Sequence, residues 1–255
     1  MTQSSPIVSL RDVRKTFERG TVALEGLNFE VRDGEFVSLL GPSGCGKSTA
    51  LRIVAGLSPP TAGSVAWADG GETANRIGFV FQEPTLMPWA DIAKNVRLPL
   101  TLAGAGEASA NPAVTQALDR VGLSEFAYAF PRELSGGMKM RASIARALVT
   151  KPDLLLMDEP FAALDEITRF KLNDDLLALW QQMQGTVVFV THSVFESVYL
   201  SQRIVIVSPR PGHVVTEIDI PAGYPRDARF RTSAEYAALC RHVSEALAAA
   251  MGDAA

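Results

Sequence analysis

The chain has 255 residues, of which 47% are hydrophobic and 20% charged, and its formal net charge is −4. A chain of this length predicts one or two domains with a core large enough to need no disulfide or structural metal. The acidic balance argues against a non-specific nucleic-acid binder, which needs a basic surface.

The composition carries no sign of export or of membrane insertion. Cys45 and Cys240 are the only cysteines, too few for a disulfide framework and wrongly spaced for a zinc site. The first five residues lack a signal-peptide layout, and no apolar run approaches the ~20 residues that span a bilayer. We therefore expect a protein of a reducing compartment without a spanning helix.

Strand patterns open the chain. Residues Ile7–Val13 alternate between apolar and polar, as a half-buried strand does. Leu27–Val31 is a second strand-like stretch and ends at a turn, Asp33-Gly34. Phe36–Leu40 is a nearly continuous apolar run, which predicts a strand buried on both faces.

A glycine-rich loop follows this third strand. Residues Gly41–Ser48 read GPSGCGKS and fit the phosphate-loop pattern G-x-x-x-x-G-K-[ST], and a helical pattern, Thr49–Ala55, comes next. The glycines let backbone N–H groups converge on an anion, and the N-terminus of the helix adds positive potential. Lys47 can reach the β- and γ-phosphates, and the Ser48 hydroxyl is a ligand for Mg²⁺. A chance glycine turn would not explain the flanking strand and helix, so the loop predicts nucleoside triphosphate binding.

Helical patterns dominate residues 84–150, where strand signals vanish. The clearest helices are Ala113–Val121 and Met138–Val149. A run of small residues, Ala103–Pro112, predicts a flexible loop between them. We expect an inserted helical subdomain here.

The second of these helices opens on Ser135-Gly136-Gly137. Serine is a good N-cap, and two glycines expose backbone N–H groups to an anion. Because a phosphate loop is already present, a second phosphate-seeking helix end predicts contact with the nucleotide of another copy. The alternative interpretation is a plain helix cap.

Another strand pattern, Leu154–Met157, leads into an acidic pair. Asp158 at the end of this strand can hold Mg²⁺, directly or through water. Glu159 follows, with its side chain expected on the other side of the strand, and a carboxylate there is a natural general base for an attacking water. The alternative is an acidic pair that only caps a helix.

Strand patterns recur at Val187–Val190 and Ile204–Val207, each separated by helix-like sequence. Strands that alternate with helices predict an α/β fold with a mostly parallel sheet covered on both faces. The tail, about residues 210–255, predicts one more helix. Thr232 and Glu235 form its capping box, and its apolar stripe comprises Tyr236, Leu239, Val243 and Leu247.

These motifs, in this order, resemble those of the ATP-binding cassette (ABC) ATPases. Ser135-Gly136-Gly137 resembles the family's signature motif, which contacts ATP held by the opposite subunit. Gln82, after the strand pattern Ile77–Phe81, resembles the Q-loop glutamine that senses Mg²⁺ and the attacking water. Asp165 in Ala163-Leu164-Asp165 resembles the D-loop aspartate at the dimer seam, and His192 resembles the switch histidine that contacts the γ-phosphate.

Phe17 lies where the family places an aromatic residue that stacks on adenine, although a core position would suit it equally. For His192 considered alone, a structural role is the alternative.

The resemblance implies a P-loop NTPase core with a mostly parallel sheet, an N-terminal antiparallel β subdomain and an inserted α-helical subdomain at about residues 84–150, all within a single domain of residues 1–255.

The resemblance assigns residues to three overlapping roles. The cofactors are ATP and Mg²⁺. The catalytic residues are Lys47, Gln82, Glu159 and His192, and the metal ligands are Ser48, Gln82 and Asp158. The nucleotide-binding residues are Phe17, Gly41, Pro42, Ser43, Gly44, Cys45, Gly46, Lys47, Ser48, Thr49, Gln82, Ser135, Gly136, Gly137, Asp158 and Asp165.

Three stretches, residues 83–89, 158–169 and 191–212, resemble the ATPase subunits of bacterial importers for nitrate, sulfonates, taurine and related solutes. Riboflavin- or pyrimidine-precursor importers carry similar sequences. This implies a homodimer or a pair with a second ABC ATPase, at the cytoplasmic face of the membrane. A separate permease would dock through a coupling helix near Gln82–Val96, and a solute-binding protein would join indirectly. The apolar residues Leu86, Met87 and Trp89 would suit a groove that receives an apolar partner helix. The alternative is that they pack inside the helical subdomain.

The sequence departs from common family patterns at Met138, at Lys139-Met140-Arg141 and at Ser193, none of which removes a phosphate or Mg²⁺ ligand. The alternative functions are those of a soluble ABC ATPase in nucleic-acid or translation work, an exporter subunit and a small-molecule kinase. No long heptad run or second cassette supports the first of these, and a kinase would not need Ser135-Gly136-Gly137. We expect no nucleic-acid partner.

Overall fold

A computed structural model describes residues 6–68 and 77–252. Its contacts divide the chain into two compact units. The first unit comprises residues 1–74 and 185–255, and the second unit comprises residues 75–184. Within the described ranges, no helix is long and apolar enough to cross a bilayer.

The strands are β1 (Pro6–Thr16), β2 (Val22–Arg32), β3 (Phe36–Leu40), β4 (Ala62–Trp67), β5 (Ile77–Val80), β6 (Leu154–Asp158), β7 (Thr186–Thr191), β8 (Arg203–Val207) and β9 (Val214–Asp219). The α-helices are α1 (Lys47–Val54), α2 (Ile92–Leu102), α3 (Glu107–Arg120), α4 (Gly136–Leu148), α5 (Glu166–Met183), α6 (Val194–Leu200), α7 (Ala228–Arg231) and α8 (Ala234–Gly252). Two 3₁₀ turns lie at Ser124–Phe126 and Pro131–Glu133.

The first unit contains a three-stranded antiparallel sheet and a mostly parallel set of four strands. The antiparallel sheet has the strand order β2-β1-β4, and strands β7, β3, β8 and β9 lie side by side in the other. Strand β3 is parallel to both β7 and β8, and all five of its residues are buried. This confirms the sequence prediction for Phe36–Leu40, because a central parallel strand has apolar neighbours on both faces.

A buried ion-pair network ties three strands of the first unit together. The Arg203 guanidinium on β8 contacts Glu35 at 2.6 and 2.8 Å and Glu217 on β9 at 2.7 Å, and donates to the carbonyl of Glu30 on β2 at 2.7 Å. Burial alone would lower the pKa of Arg203, but hydrogen bonding and charge attraction from Glu35 and Glu217 raise it overall. The cation is therefore retained in the core with its donors paired.

The second unit pairs β5 with β6 in parallel and packs helices α2, α3 and α4 around a small core. The buried members of this core are Ile92, Val96, Val114, Ala117, Leu118, Leu123, Leu134, Ala142, Ala145 and Val149. Residues 84–150 contain no strand, as the sequence predicted.

One loop prediction is wrong. Residues Ala103–Pro112 were expected to be flexible, but α3 begins at Glu107 and continues through Pro112. Glu107 lies in the first turn, where the helix dipole favours an acidic side chain, and forms an ion pair with Arg97. Burial of Val114 and Leu118 anchors the rest of the helix, so tertiary packing overrides the small-residue composition.

The tail helix α8 begins at Ala234, and its cap lies one residue later than the predicted cap. Ser233, not Thr232, accepts a hydrogen bond from the N–H of Tyr236 at 3.1 Å, whereas the Thr232 hydroxyl donates to preceding carbonyls. The capping box proposed for Thr232 is therefore wrong. Of the predicted stripe, Tyr236 and Val243 are buried, whereas Leu239 and Leu247 are half-buried.

Candidate functional site

The phosphate loop of the first unit runs from the end of β3 into α1, as its motif predicts. The helix starts at Lys47, two residues before the predicted helical stretch, with Gly46 at its N-terminus. Gly46 has φ +107°, and a Cβ there would lie 2.7 Å from the carbonyl oxygen of Ala23. Only glycine fits both the backbone angle and the space, so the loop holds its tight path without a side chain.

Lys47 folds back on this loop. Its ammonium donates to the carbonyls of Gly41 at 2.8 Å and Pro42 at 2.9 Å, and the side chain is 4% exposed. The Sγ of Cys45 lies 3.8 Å from the same ammonium. A buried cation beside a glycine loop and a helix N-terminus is an anion-binding arrangement, so these residues fit the phosphates of a nucleotide.

Strand register brings His192 beside the phosphate loop. In the parallel pair of β3 and β7, Leu40 lies opposite Thr191. Gly41 and His192 therefore leave the sheet as neighbours at the same carboxyl edge, where ligands of open α/β sheets bind. His192 is exposed, and Ser193 caps the following helix α6 by accepting the N–H of Glu196 at 3.3 Å.

Arg210 is a further contact of the phosphate loop that sequence reasoning missed. Its guanidinium donates twice to the carbonyl of Gly44, at 2.8 and 3.0 Å. In the sequence, Arg210 belongs to the stretch of residues 191–212, which carries only a family resemblance. No local signal links it to residue 44, because the contact joins positions 166 residues apart in the chain.

Phe17 lies at the surface of the first unit. Its side chain is 46% exposed, at the turn after β1, and the Lys15 ammonium lies 5.6 Å from the ring centroid. The alternative of a core position is therefore wrong. Its predicted stacking on adenine stays a prediction.

Parallel pairing in the second unit places Gln82 and the acidic pair at one sheet edge. Val80 of β5 lies opposite Met157 of β6, so the residues that follow each strand emerge side by side. Asp158 is buried at 6% exposure, Glu159 is half-buried and Gln82 is exposed. The second unit thus brings three predicted site residues together.

Strand alternation does not describe the position of Glu159. It lies beyond β6 and has φ +45°, in the left-handed region that residues other than glycine rarely adopt. Such backbone strain costs about 1–3 kcal/mol and concentrates at functional sites. At Glu159 the backbone is therefore in a left-handed turn, and the alternation of a strand no longer applies.

The signature-like segment adjoins the D-loop-like segment. Ser135 caps α4 by accepting the N–H of Met138 at 3.3 Å, and a Cβ on Gly137 would lie 2.9 Å from Cγ2 of Thr168. Asp165 in turn caps α5, accepting the N–H and hydroxyl of Thr168 at 3.0 and 2.7 Å. Both hydrogen bonds lower the pKa of the Asp165 carboxyl, and the bond from the backbone N–H of Thr168 has the larger effect. Close packing of these two segments therefore explains Gly137 structurally.

Arg146 on α4 links this helix to the residues after Gln82, and no sequence pattern indicates this link. Its guanidinium donates to the carbonyls of Pro84 at 2.9 Å and Thr85 at 2.8 Å, and to the Thr85 hydroxyl at 2.8 Å. Burial lowers the pKa of Arg146. The Q-loop-like segment is thus tied to the helix that begins at the signature-like segment.

The predicted apolar docking residues behave differently from one another. Trp89 is 77% exposed, so internal packing does not account for it. Leu86 is half-buried against the core of the second unit, and Met87 is also half-buried. Of the three, only Trp89 presents most of its surface.

The predicted metal ligands are hard oxygen donors, and they differ in burial and in location. Ser48 is half-buried at the start of α1 in the first unit, whereas Gln82 and Asp158 belong to the second unit. A hydroxyl, an amide and one buried carboxylate fit Mg²⁺ that also binds phosphate oxygens. Within residues 6–68 and 77–252 no cluster of three or more His, Cys, Asp or Glu side chains could hold a metal.

A cavity of about 310 Å³ in the second unit lies apart from these motifs. It is bounded by the end of α3 and by α4 and α5, and its lining includes Arg120, Arg141 and Asp175. None of the predicted nucleotide or metal residues lines it.

Comparison with known proteins places these motifs in context. The family model described as ABC transporter matches residues 24–162. An aliphatic sulfonates import ATP-binding protein of Burkholderia cenocepacia is 45% identical over 227 residues, covering 88% of this chain and 82% of that protein. An uncharacterised ABC transporter ATP-binding protein of Methanocaldococcus jannaschii is 48% identical over 218 residues, covering 84% of this chain and 80% of that protein.

A solved structure shares the fold. The dimeric, post-hydrolysis state of the ATP-binding cassette MJ0796, bound to ADP and Pi, superposes with a TM-score of 0.74 at 34% identity. The match covers 85% of this chain and 100% of that one.

Proposed function

This chain belongs to the ATP-binding subunits of ABC transporters and is an ATPase, and from that premise we propose that it powers an importer. The solute would be small: nitrate, a sulfonate, taurine or a pyrimidine precursor. The observation that carries the proposal is the phosphate loop between β3 and α1, in a chain 45% identical to a sulfonate import subunit.

The chain's own residues divide the chemistry of hydrolysis between them. The phosphate loop and Lys47 hold the β- and γ-phosphates, Glu159 polarises the attacking water, and His192 and Gln82 position it. Phe17 stacks on adenine. Mg²⁺, held by Ser48, Gln82 and Asp158, would neutralise phosphate charge. Catalysis here is positioning and charge stabilisation more than covalent chemistry.

Two copies act together in this proposal. Each phosphate loop binds one ATP, and Ser135-Gly136-Gly137 of the other copy covers it, with Asp165 at the seam. The dimeric form of the related cassette bound to ADP and Pi supports this arrangement. A second, different ABC ATPase would serve equally as the partner.

A membrane permease completes the proposal. Its coupling helix would dock near Gln82–Val96, where Trp89 offers an exposed apolar side chain, and would hold the ATPase at the cytoplasmic face of the membrane. A solute-binding protein would supply the solute to the permease. The alternatives, an exporter subunit or a soluble ABC ATPase in nucleic-acid or translation work, differ in the partner that the chain binds.

Glu159→Gln supplies the test of both the chemistry and the partner. The variant should bind ATP but lose about 100-fold or more of its turnover, because it lacks the base, and it should accumulate as an ATP-bound dimer in light scattering. Tagged Glu159→Gln with ATP, pulled from detergent-solubilised native membranes, should recover a multi-span permease identifiable by mass spectrometry.

The matched control is Glu125→Gln, a change at an exposed carboxylate of the second unit, which should keep wild-type turnover. Unchanged turnover in Glu159→Gln would remove Glu159 from its role. Recovery of only soluble or nucleic-acid-bound partners would contradict the transport proposal while leaving the ATPase assignment intact.

A further inference from the structure

The helix α6 that follows His192 is too short to be stable alone. It has seven residues, and isolated helices shorter than about 12 residues are marginal in water. The last four carbonyls of any helix also lack partners within it. What satisfies these groups therefore decides how firmly the segment after His192 is held.

The tail supplies partners for carbonyls along α6 and at its C-cap through three side chains, which we call the tail clasp: Tyr224, Arg226 and Tyr236. One nitrogen of Arg226 donates to the carbonyls of Val198, Tyr199 and Ser201 at 2.8, 3.0 and 2.9 Å. The two clasp hydroxyls add one bond each. That of Tyr224 donates to the carbonyl of Leu200, the last residue of α6, at 2.8 Å, and that of Tyr236 donates to the carbonyl of Phe195, in the first turn, at 2.8 Å.

The clasp is itself built tightly. Arg226 is 4% exposed, and its guanidinium lies 4.3 Å from the ring centroid of Tyr224 and 5.5 Å from that of Phe230. The hydroxyl of Tyr199 on α6 donates back to the carbonyl of Arg226 at 2.8 Å. Burial raises the pKa of Tyr224 to about 12. Helix and tail are thus bonded in both directions.

The beginning of α6 is also fastened to the end of β7, the strand that precedes His192. The hydroxyl of Thr191 donates to the Glu196 carboxylate at 2.6 Å and accepts the N–H of Ser193 at 3.0 Å. Glu196 is 8% exposed, so this link is protected from water. His192 therefore lies between a fixed strand end and a helix whose far end the tail holds.

We propose that the C-terminal tail positions His192 for ATP hydrolysis through α6, with Tyr224, Arg226 and Tyr236 as positioning residues. The inference rests on the proposed role of His192. It gives the tail a function beyond packing: the clasp keeps α6 formed, and α6 keeps the His192 backbone in place while the nucleotide is hydrolysed.

The test uses conservative variants of the full chain, because loss of the buried Arg226 could unfold the tail. Tyr224→Phe/Tyr236→Phe removes both hydroxyls and keeps both rings. Tyr128→Phe is the matched control, since Tyr128 is the remaining tyrosine outside the clasp and α6 and is 85% exposed. Hydrogen–deuterium exchange of residues 193–201, kcat and the KM for ATP are measured for each protein.

The double variant should exchange these amides about tenfold faster than wild type, because α6 opens locally at lower cost. Its kcat should fall about tenfold with KM for ATP nearly unchanged, since misplacement of one group by ~1 Å costs that much or more. Tyr128→Phe should match wild type in all three measurements. In a His192→Ala background the clasp substitutions should cause no further loss of kcat, because coupled residues are not additive.

Two results would overturn the inference: wild-type exchange of residues 193–201 in the double variant, or the same loss of kcat with and without His192. A His192→Ala protein with full kcat would remove both the role of His192 and the inference that rests on it. A wild-type chain without ATPase activity would contradict the proposed function and, with it, the role of His192. The exchange measurement needs no ATP, so it would still show whether the clasp holds α6.

Discussion

Cys45 lies inside the phosphate loop, yet it is only 1% exposed. Burial raises the pKa of its thiol, and the nearby Lys47 ammonium offsets part of that increase. The thiolate is the reactive form of cysteine. A buried thiol with a raised pKa fits a small space-filling residue better than a redox centre.

Iodoacetamide should therefore alkylate Cys45 more slowly than free cysteine near pH 7, and the rate should rise with pH as the thiolate forms. Once attached, the added group should lower ATP hydrolysis about 100-fold by displacing the loop, and bound ATP should protect the thiol. Mass spectrometry of Cys240→Ala protein isolates the reaction at Cys45, and Cys45→Ser is the unreactive control. Alkylation of Cys45 without loss of activity would contradict the placement of the nucleotide.

At the scale of elements, a single amide organises the segment that presents Trp89. Asn95 on α2 is fully buried, and its side chain accepts the N–H of Met87 at 2.7 Å. It also donates to the carbonyls of Met87, Ala90 and Asp91 at 3.2, 3.0 and 3.0 Å. The turn before α2 is therefore fixed by a side chain from the helix that it precedes.

Asn95→Ala should lower the free energy of unfolding by about 2 kcal/mol, because it leaves buried N–H and C=O groups without partners. Urea denaturation of the full chain measures this. Asn111→Ala on α3 is the control, since Asn111 is exposed and its loss should change the free energy of unfolding by less than about 0.5 kcal/mol. Equal stability of the two variants would show that the turn does not depend on Asn95.

At the scale of the whole molecule, the motif residues are divided between the two units. The first unit carries Phe17, the phosphate loop and His192, and the second carries Gln82, the acidic pair and the signature-like segment. Each unit therefore presents part of the ABC ATPase motif set, and the exposed Trp89 belongs to the second. A partner that binds Trp89 would contact the unit that also carries Glu159.

Trp89→Ala should reduce the amount of permease recovered with the ATP-bound Glu159→Gln bait by about tenfold, as loss of an interface tryptophan does. Its free energy of unfolding should stay within about 0.5 kcal/mol of the parent, because the side chain is exposed. Leu102→Ala, at a residue of the same unit that is 79% exposed, is the matched control. Undiminished recovery with Trp89→Ala would exclude Trp89 from the docking surface.

The sequence alone determined the features whose information is local. The phosphate loop, the buried strand β3 and the cap Ser135 were predictable because each follows from the order and chemistry of adjacent residues. The family assignment followed from the order of such motifs along the chain.

Tertiary structure decided what depends on distant partners. The edge strands β4 and β9 were missed because each has only one buried residue and pairs only where β1 or β8 offers an edge. Arg146, Arg210 and the tail clasp escaped detection for the same reason. A guanidinium or phenol hydroxyl can bond any carbonyl that folding brings within reach, and no sequence spacing records which carbonyl that is.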